Sequence, residues 1–166
     1  PNFTSPDGRH PVASIVGEGD DDILALLLKF GGDANAVDLD GVPAIFSSIG
    51  ADNWQQINML LDAGADLNKT DLGQRNAPLY ASFINKYESA YKLIELGAEH
   101  HQASSGGITL AWNIYSDLED NLLNPEFDAY GWAIKTKELL IKKGINFPPL
   151  SPEQVRERLK NGEAIN

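Results

Sequence analysis

A motif that recurs with a 33-residue period constrains the fold of this chain more than any other feature of the sequence. At positions 27–31, 60–64 and 93–97, a pair of aliphatic residues is followed three residues later by a glycine. In the first two segments an aspartate and an asparagine also follow the glycine at the same distances. A period of this length is typical of a solenoid, in which each structural unit packs only against its neighbours.

Each unit is predicted to contain an amphipathic helix that ends at its glycine. In the second unit, Ile57, Leu60 and Leu61 follow Trp54 at distances of three, six and seven residues, which places all four on one helix face. Gly64 would end this helix, because glycine adopts the left-handed conformation at little cost. One unit cannot bury its apolar face alone, so we expect stacked neighbours to form the core of an all-α fold.

The units also share opening segments. These are DGRHPVASIV from Asp7, DLDGVPAIFSS from Asp38 and DLGQRNAPLYAS from Asp71, and the closing segments are LLLKFGGDAN, MLLDAGADLN and KLIELGAEHH. Together they resemble the ankyrin repeat family over roughly residues 7–102. The resemblance implies an ankyrin-repeat solenoid of about four helix–turn–helix repeats, the last expanded, with a C-terminal capping helix.

The chain departs from the family at the Thr-Pro-Leu-His motif that opens an ankyrin repeat. The histidine position of that motif holds Ala13, Phe46 and Tyr80, so we expect aromatic packing to replace the hydrogen bonds of the family's histidine. In this alignment Ala44 of the second repeat matches Pro78 of the third, and the two lie 34 residues apart, one more than the 33-residue period. The alignment therefore predicts one extra residue in the opening turn of the third repeat.

The fourth unit is longer than the others. GITLAWNIYSDLEDNL is predicted to form its first helix and YGWAIKTKELLIKKG its second. The interval from Gly97 to Gly144 exceeds the regular period, so this unit carries 14 extra residues near 118–130. We expect them to form a surface loop or a helix extension.

We predict a single ankyrin-repeat domain over residues 1–166. Ser151 is a favourable N-cap for a last helix, Pro152 suits its first turn, and Asn161 followed by glycine would end it. The predicted repeats and the capping helix are, in chain order, roughly 7–37, 38–70, 71–103, 104–147 and 151–161.

Charge and composition restrict the partners that the chain can bind. With 24 acidic and 13 basic residues, the formal net charge is −11 at pH 7. This charge disfavours nucleic acid and anionic membrane surfaces and favours a basic protein surface. No apolar run approaches the ~20 residues of a membrane-spanning helix. The sequence therefore predicts no nucleic-acid partner and no membrane span.

No arrangement of residues in the sequence indicates catalysis. It contains no nucleophile elbow, phosphate-binding glycine loop or metalloprotease motif, so we predict a protein that is not an enzyme and uses no cofactor or metal. The acidic run at 18–22 would either bind Ca²⁺ or Mg²⁺ or form the first turn of a helix. His100 and His101, with Glu99, would either hold a metal or occupy a turn between repeats.

In the ankyrin family the turn tips and inner helices form a concave surface that binds other proteins. Carried over to this chain by position, the resemblance implies partner contacts at two turn tips and at the ends of two inner helices. These predicted partner-binding residues are Leu39, Asp40, Val42, Asp52, Leu72, Gln74, Arg75, Asn76, Asn85 and Lys86. Leu39 and Leu72 would either contact the partner or fold back onto their own repeats.

The insertion is a second candidate for partner binding. Between positions 117 and 128 it contains five acidic residues and no basic one, with apolar residues interleaved. This composition fits a surface that binds a basic, partly apolar patch, and alternatively a solvated loop that tucks a few residues into the core. Its predicted partner-binding residues are Asp117, Glu119, Asp120, Leu123, Phe127 and Asp128.

A narrower resemblance is carried by DGVPAIF, by the enlarged last unit and by KKGINFPPLSP. The chain is similar in these features to small bacterial ankyrin proteins that give immunity to type VI secreted phospholipase toxins. That resemblance implies a protein that binds and occludes a lipase-type toxin in the periplasm, with or without a lipoprotein anchor from a removed leader. The chain starts at Pro1 and its one methionine is Met59, which fits either a removed leader or a trimmed chain. The alternatives are a general ankyrin adaptor in a bacterial stress-response or host-directed complex, and a cytoplasmic location.

Overall fold

The computed structural model describes residues 2–165, and over these residues the chain is helical. It forms nine α-helices and, within the described part, no β-structure beyond the isolated bridges Val37–Pro43 and Ala103–Thr109. The predicted all-α class is therefore confirmed. The helices are α1 (Pro11–Ile15), α2 (Asp21–Lys29), α3 (Ala44–Gly50), α4 (Trp54–Asp62), α5 (Ala77–Phe83), α6 (Tyr87–Glu95), α7 (Leu110–Glu119), α8 (Asp128–Lys142) and α9 (Pro152–Lys160).

None of the helices in the described part of the chain is long and apolar enough to span a membrane. Pro1, on which the expectation of a removed leader depends, lies outside the described residues.

The chain divides into two compact units, Pro1–Leu72 and Gly73–Asn166. In the first unit α1 packs against α2 and α3 against α4, and these two pairs stack through α1 on α3 and α2 on α4. In the second unit α5 pairs with α6 and α7 with α8, and the pairs stack through α5 on α7 and α6 on α8. Each unit thus contains two helix pairs in the same packing order.

The 33-residue period of the sequence is also a period of the backbone. The N-cap residues of α1, α3, α5 and α7, which are His10, Pro43, Asn76 and Thr109, recur with this period. Residues with a left-handed backbone conformation follow the same spacing in three sets. The set that precedes the caps is Gly8, Gly41, Gln74 and Gly107, and the set between paired helices is Gly19, Asp52 and Asn85. The set that follows the second helix of a pair is Gly31, Gly64 and Gly97.

This register corrects the predicted extra residue in the third opening turn. Ala44 begins α3 and Ala77 begins α5, which is a separation of one regular period, so the alignment of Ala44 with Pro78 is wrong. The residue equivalent to Phe46 is therefore Leu79 and not Tyr80, and both Phe46 and Leu79 are fully buried. The apolar side chain is retained at this position because it lies in the core, where its removal from water stabilises the fold by about 1.5–3 kcal/mol.

In the first unit, asparagines link consecutive repeats. The Asn2 side chain donates a hydrogen bond to the carbonyl of Gly31 (2.9 Å) and accepts one from the N–H of Asp33 (2.8 Å). The Asn35 side chain likewise donates a hydrogen bond to the carbonyl of Gly64 (3.0 Å) and accepts one from the N–H of Asp66 (2.7 Å). These side chains satisfy backbone groups that a helix end leaves without intrahelical partners.

The extra residues of the fourth repeat divide between helix and loop. Relative to α5 and α6, helix α7 is three residues longer, with 10 rather than 7, and α8 is six residues longer, with 15 rather than 9. The connection between α7 and α8 spans 120–127, whereas α5 and α6 are joined by 84–86. The insertion therefore extends both helices and also lengthens the turn between them.

Helix α9 lies against the opening turn of the fourth repeat. Ser151 is its N-cap and forms a capping box with Gln154, which confirms the predicted helix start. Val155 is fully buried, and Arg156 donates to the carbonyl of Gly106 (2.6 Å). A Cβ at Gly107 would lie 2.4 Å from a carbonyl oxygen of α9, so only glycine permits this close approach.

Candidate functional site

The turn tips of the first unit present exposed apolar side chains on a rigid backbone. Asp38 holds one tip by accepting hydrogen bonds from the amides of Asp40 and Val42, both at 2.9 Å. Leu39 lies at this tip and Leu72 at the next, and both are exposed. They do not fold back onto their own repeats, because each lies beside the glycine of the preceding tip. The Cβ positions of Gly8 and Gly41 would be 3.4 Å and 3.2 Å from these leucine side chains.

The turns between paired helices place predicted residues on the surface in a constrained conformation. Asp52 and Asn85 are exposed and have φ angles of 58° and 57°. Aspartate and asparagine tolerate this left-handed conformation better than most residues. Lys86, which follows Asn85, is the N-cap of α6 and is half-buried.

At the first tip of the second unit, Arg75 is held over aromatic rings. Its guanidinium carbon lies 5.2 Å from the ring centre of Phe83 and 5.8 Å from that of Tyr80. Gln74 is exposed, and its backbone carbonyl accepts a hydrogen bond from Gln102 (3.0 Å). The tip therefore offers a preoriented cation above two aromatic side chains.

Two predicted partner-binding residues are buried, and the prediction for them is corrected. Asn76 caps α5 by accepting from the amide of Leu79 (3.3 Å), and it donates to the carbonyl of Glu99 (2.8 Å). Leu123 is 6% exposed and packs into the second unit from the connection between α7 and α8. Neither side chain is accessible to a partner, and both stabilise the surface around them.

Asp117 also has a structural role that the sequence analysis missed. The hydroxyl of the fully buried Tyr87 donates a hydrogen bond to the half-buried carboxylate of Asp117, which connects α6 to α7. Burial raises the pKa of Tyr87 above its ordinary value, and the hydrogen bond and negative charge of Asp117 raise it further. Because the two residues lie 30 positions apart, no local pattern in the sequence indicates the pair.

Residues 119–128, which we name the acidic loop, carry an exposed negative surface. The carboxylates of Glu119, Asp120, Glu126 and Asp128 are exposed. Among the described residues none of these four forms an ion pair. Phe127 is 68% exposed beside them.

The acidic loop is held in place by its own contacts. Leu123 anchors its centre in the core, and the side chain of Asn124 accepts a hydrogen bond from the amide of Glu126 (3.0 Å). At its start, Ser116 donates to the carboxylate of Asp120 (3.1 Å). One residue of the insertion is tucked into the core, and the charged and aromatic residues around it face solvent, as in the solvated-loop alternative; that they bind a partner stays a prediction.

The other acidic and histidine clusters form ordinary structural contacts. Asp20 is the N-cap of α2 and accepts from the amide of Ile23 (3.2 Å), while Asp21 accepts from Asn53 (3.2 Å). The run at 18–22 therefore connects α1 to α2 and supplies the N-cap and the first turn of α2. Over residues 2–165, no group of three or more histidine or carboxylate side chains is arranged to hold a metal ion.

A cavity of about 130 Å³ in the second unit was not predicted from the sequence. It lies beside α9, and its walls include His100, His101 and Arg158. Burial lowers the pKa of His100, so this ring tends to be neutral. His101 pairs with Glu99 (3.1 Å), and Arg158 donates to the carbonyl of Ala164 (2.9 Å). The polar groups of the cavity thus serve contacts within the fold.

Neither a protein-family model nor a curated protein matches this chain. The candidate site is therefore defined by geometry alone. The acidic loop combines exposed charge and an exposed aromatic side chain with a buried anchor, Leu123.

Proposed function

We propose that this chain is a protein-binding module that recognises a basic, partly apolar surface through the acidic loop. The observation that carries the proposal is the presence of four exposed carboxylates without ion-pair partners among the described residues, around Phe127 on one anchored loop. Leu122, which is also exposed, adds a second apolar contact. A basic partner would neutralise the carboxylates and cover both apolar side chains.

The anchoring of the loop supports tight binding. A loop that is already fixed by Leu123 and by the bond between Tyr87 and Asp117 loses little conformational freedom when a partner binds. Covering Phe127 would contribute about 2 kcal/mol. The negative charges would accelerate association with a basic partner, and this acceleration would decrease as salt screens the charges.

We also infer that the helix pairs are ankyrin-type repeats. The 33-residue spacing of helix caps and left-handed residues supports this inference, as does the same packing order of helix pairs within each unit. Repeats of this kind recognise partners through turn tips. We therefore propose additional contacts at Leu39, at Leu72 and at Arg75, which lies over the rings of Tyr80 and Phe83.

The partner that we propose is a secreted phospholipase-type toxin, and the proposed location is the periplasm. An enzyme that acts on anionic lipid must approach the membrane with a basic, partly apolar surface. That surface is the chemical complement of the acidic loop. Binding there would keep the toxin from its membrane and so give immunity without any chemical step.

The test measures the affinity of this chain for the proposed partner, a secreted lipase-type toxin, by isothermal titration calorimetry. The triple variant Glu119→Lys, Asp120→Lys, Asp128→Lys should weaken binding about 100-fold, because attraction becomes repulsion at the centre of the contact. The matched control Asp62→Lys, Glu95→Lys, Glu138→Lys makes the same change in net charge on exposed helix positions and should weaken binding less than about threefold. Equal losses in the two variants, or none in either, would contradict the proposal.

A second measurement separates immunity from an adaptor function. Hydrolysis of anionic vesicles by the toxin should stop at one equivalent of the wild-type chain, and cells that express the chain should survive the toxin. Binding of several unrelated proteins through the acidic loop, with no inhibition of the toxin, would instead indicate an adaptor.

A further inference from the structure

Helix α2 carries an apolar stripe that no other helix of the first unit covers. Ile23, Leu26 and Phe30 are 44%, 55% and 66% exposed. Leu26 and the C-cap residue Phe30 follow Ile23 at distances of three and seven residues, which places the three on one side of the helix. Leu24, on another side, is fully buried where α2 packs against α1 and α4. We name Ile23, Leu26 and Phe30 the α2 stripe.

The internal repeat shows what normally covers this face. Position 23 corresponds by the 33-residue period to Gln56 of α4, which is fully buried. Its covering comes from the preceding repeat, because α2 packs on α4 and the amide of Gly17 donates to the Gln56 side chain (2.9 Å). In α4, therefore, the preceding repeat covers the equivalent of Ile23, whereas Met59 and Ala63, the equivalents of Leu26 and Phe30, are half-buried and exposed.

The charges beside the α2 stripe indicate which helix would fit. Asp22 precedes Ile23 and Lys29 precedes Phe30, so both charges lie along the same edge of the stripe, one near each end of α2. Both side chains are exposed, and in the part of the chain that the structure describes neither forms an ion pair. An antiparallel copy of α2 would bring its Lys29 to Asp22 and its Phe30 to Ile23.

We propose that the α2 stripe pairs with the α2 stripe of a second copy of this chain, in an antiparallel, two-fold symmetric dimer. The symmetry makes each ion pair and each apolar contact occur twice. Antiparallel helices also place the partly positive N-terminus of one beside the partly negative C-terminus of the other. The stripe is small compared with the roughly 1,200 Å² that a stable interface buries, so we expect a weak dimer with a dissociation constant of about 10–100 µM.

A further exposed aromatic residue, Phe3, follows a residue that is bonded to the backbone just beyond α2. The side chain of Asn2 is fixed to the backbone of Gly31 and Asp33, directly after α2. Phe3 follows Asn2 and is exposed.

The experiment is sedimentation velocity of the full chain from about 5 to about 500 µM. The wild type should pass from monomer to dimer over this range. Leu26→Glu should remain monomeric, and because Leu26 is exposed this variant should keep the circular dichroism spectrum and melting temperature of the wild type. A wild type that stays monomeric, or a Leu26→Glu variant that dimerises equally well, would overturn the proposal.

A charge exchange tests the pairing without changing the apolar side chains. Asp22→Lys and Lys29→Asp should each weaken the dimer about tenfold, because each creates two like-charge contacts. The double variant Asp22→Lys, Lys29→Asp should restore the wild-type constant, and Asp62→Lys on α4 serves as the control for net charge. If the double variant stays as weak as the single ones, the antiparallel arrangement is wrong. If the wild type stays monomeric up to about 500 µM and instead binds a synthetic amphipathic peptide of lysine and leucine through the stripe, the stripe belongs to a partner protein and self-association is overturned.

Discussion

The turn between α5 and α6 and the connection between α7 and α8 each join the two helices of a pair, but they differ in length. The first uses 84–86 and places Asn85 in the left-handed conformation, as the equivalent turn does with Asp52. The second uses 120–127, begins with the same left-handed conformation at Asn121 (φ 53°) and adds a contact of its own, the buried Leu123. Both connections thus start from the same backbone geometry, and the longer one also places a side chain in the core.

This difference explains why the insertion can act as a surface. Three-residue turns offer little room for new side chains between the repeats. In the longer connection and the helix end before it, different residues anchor the chain and face solvent. Leu123 and Asp117 contact the fold, whereas Phe127 and the four carboxylates of the acidic loop are exposed. The loop therefore gains a recognition surface without losing its fixed position.

The largest effect should come from the anchor of the long connection. Leu123→Ala should lower the free energy of unfolding by about 2–3 kcal/mol, because it leaves a cavity in the core. Leu122→Ala, at the neighbouring exposed position, should change it by less than about 0.5 kcal/mol. Urea unfolding of both variants provides the measurement. Similar losses for the two leucines would show that the loop is not anchored as described.

The hydrogen bond between α6 and α7 should have the next largest effect. Tyr87→Phe removes the donor to the half-buried Asp117 carboxylate and should destabilise the fold by about 1–2 kcal/mol. Tyr91→Phe removes a hydroxyl from a half-buried tyrosine of the same helix and is the control, with an expected change within about 0.5 kcal/mol. If both variants unfold at the same urea concentration, the Tyr87 bond contributes nothing.

The same tyrosine should make stability depend on alkaline pH. Because folding raises the pKa of Tyr87, the folded state favours the protonated hydroxyl. The stabilisation is complete below the unfolded pKa of about 10 and is lost as the pH rises above it. Urea midpoints from pH 8 to about pH 11 should therefore fall more steeply in the wild type than in Tyr87→Phe. Parallel curves would indicate that another group causes the alkaline loss.

The smallest effect should appear at the short turn. Asn85→Ala should cost about 1 kcal/mol, because alanine adopts a φ near 57° less easily than asparagine. Asn85→Gly should be neutral or slightly stabilising, since glycine fits this conformation. Asn58→Ala, on an exposed position within α4, is the control and should not destabilise. Thermal unfolding should therefore show a lowered melting temperature for Asn85→Ala alone, and an equal loss in Asn85→Gly would contradict this explanation.

Local features of this fold could be predicted from the sequence, whereas features that depend on distant contacts could not. Gly64 ends α4 and Ser151 caps α9 as predicted, because caps and helix ends are set by a few adjacent residues. The opening turn of the third repeat was misaligned by one residue because Pro78 resembles the proline of the family motif. The repeated cap position, which includes Asn76, gives the register of the structure.

The candidate site was predicted in part for the same reason. Its acidic and aromatic composition is visible in the sequence, and Phe127 is exposed as the prediction requires. Burial of Leu123 and of Asn76 depends on which helices pack around them, so the sequence could not separate these residues from their exposed neighbours. The α2 stripe was missed because a helical periodicity shows that a face is apolar and not whether another helix covers it.

Hydrogen–deuterium exchange of the chain, alone and with the proposed partner, a lipase-type toxin, tests the central claim most directly. If the acidic loop is the recognition surface, amides of residues 119–128 should become protected at least about tenfold on binding, which corresponds to about 1.4 kcal/mol of added local stability. The amides of the exposed α2 stripe should exchange as they do in the free chain. Unchanged exchange at 119–128, with protection confined to another surface of the chain, would contradict the account.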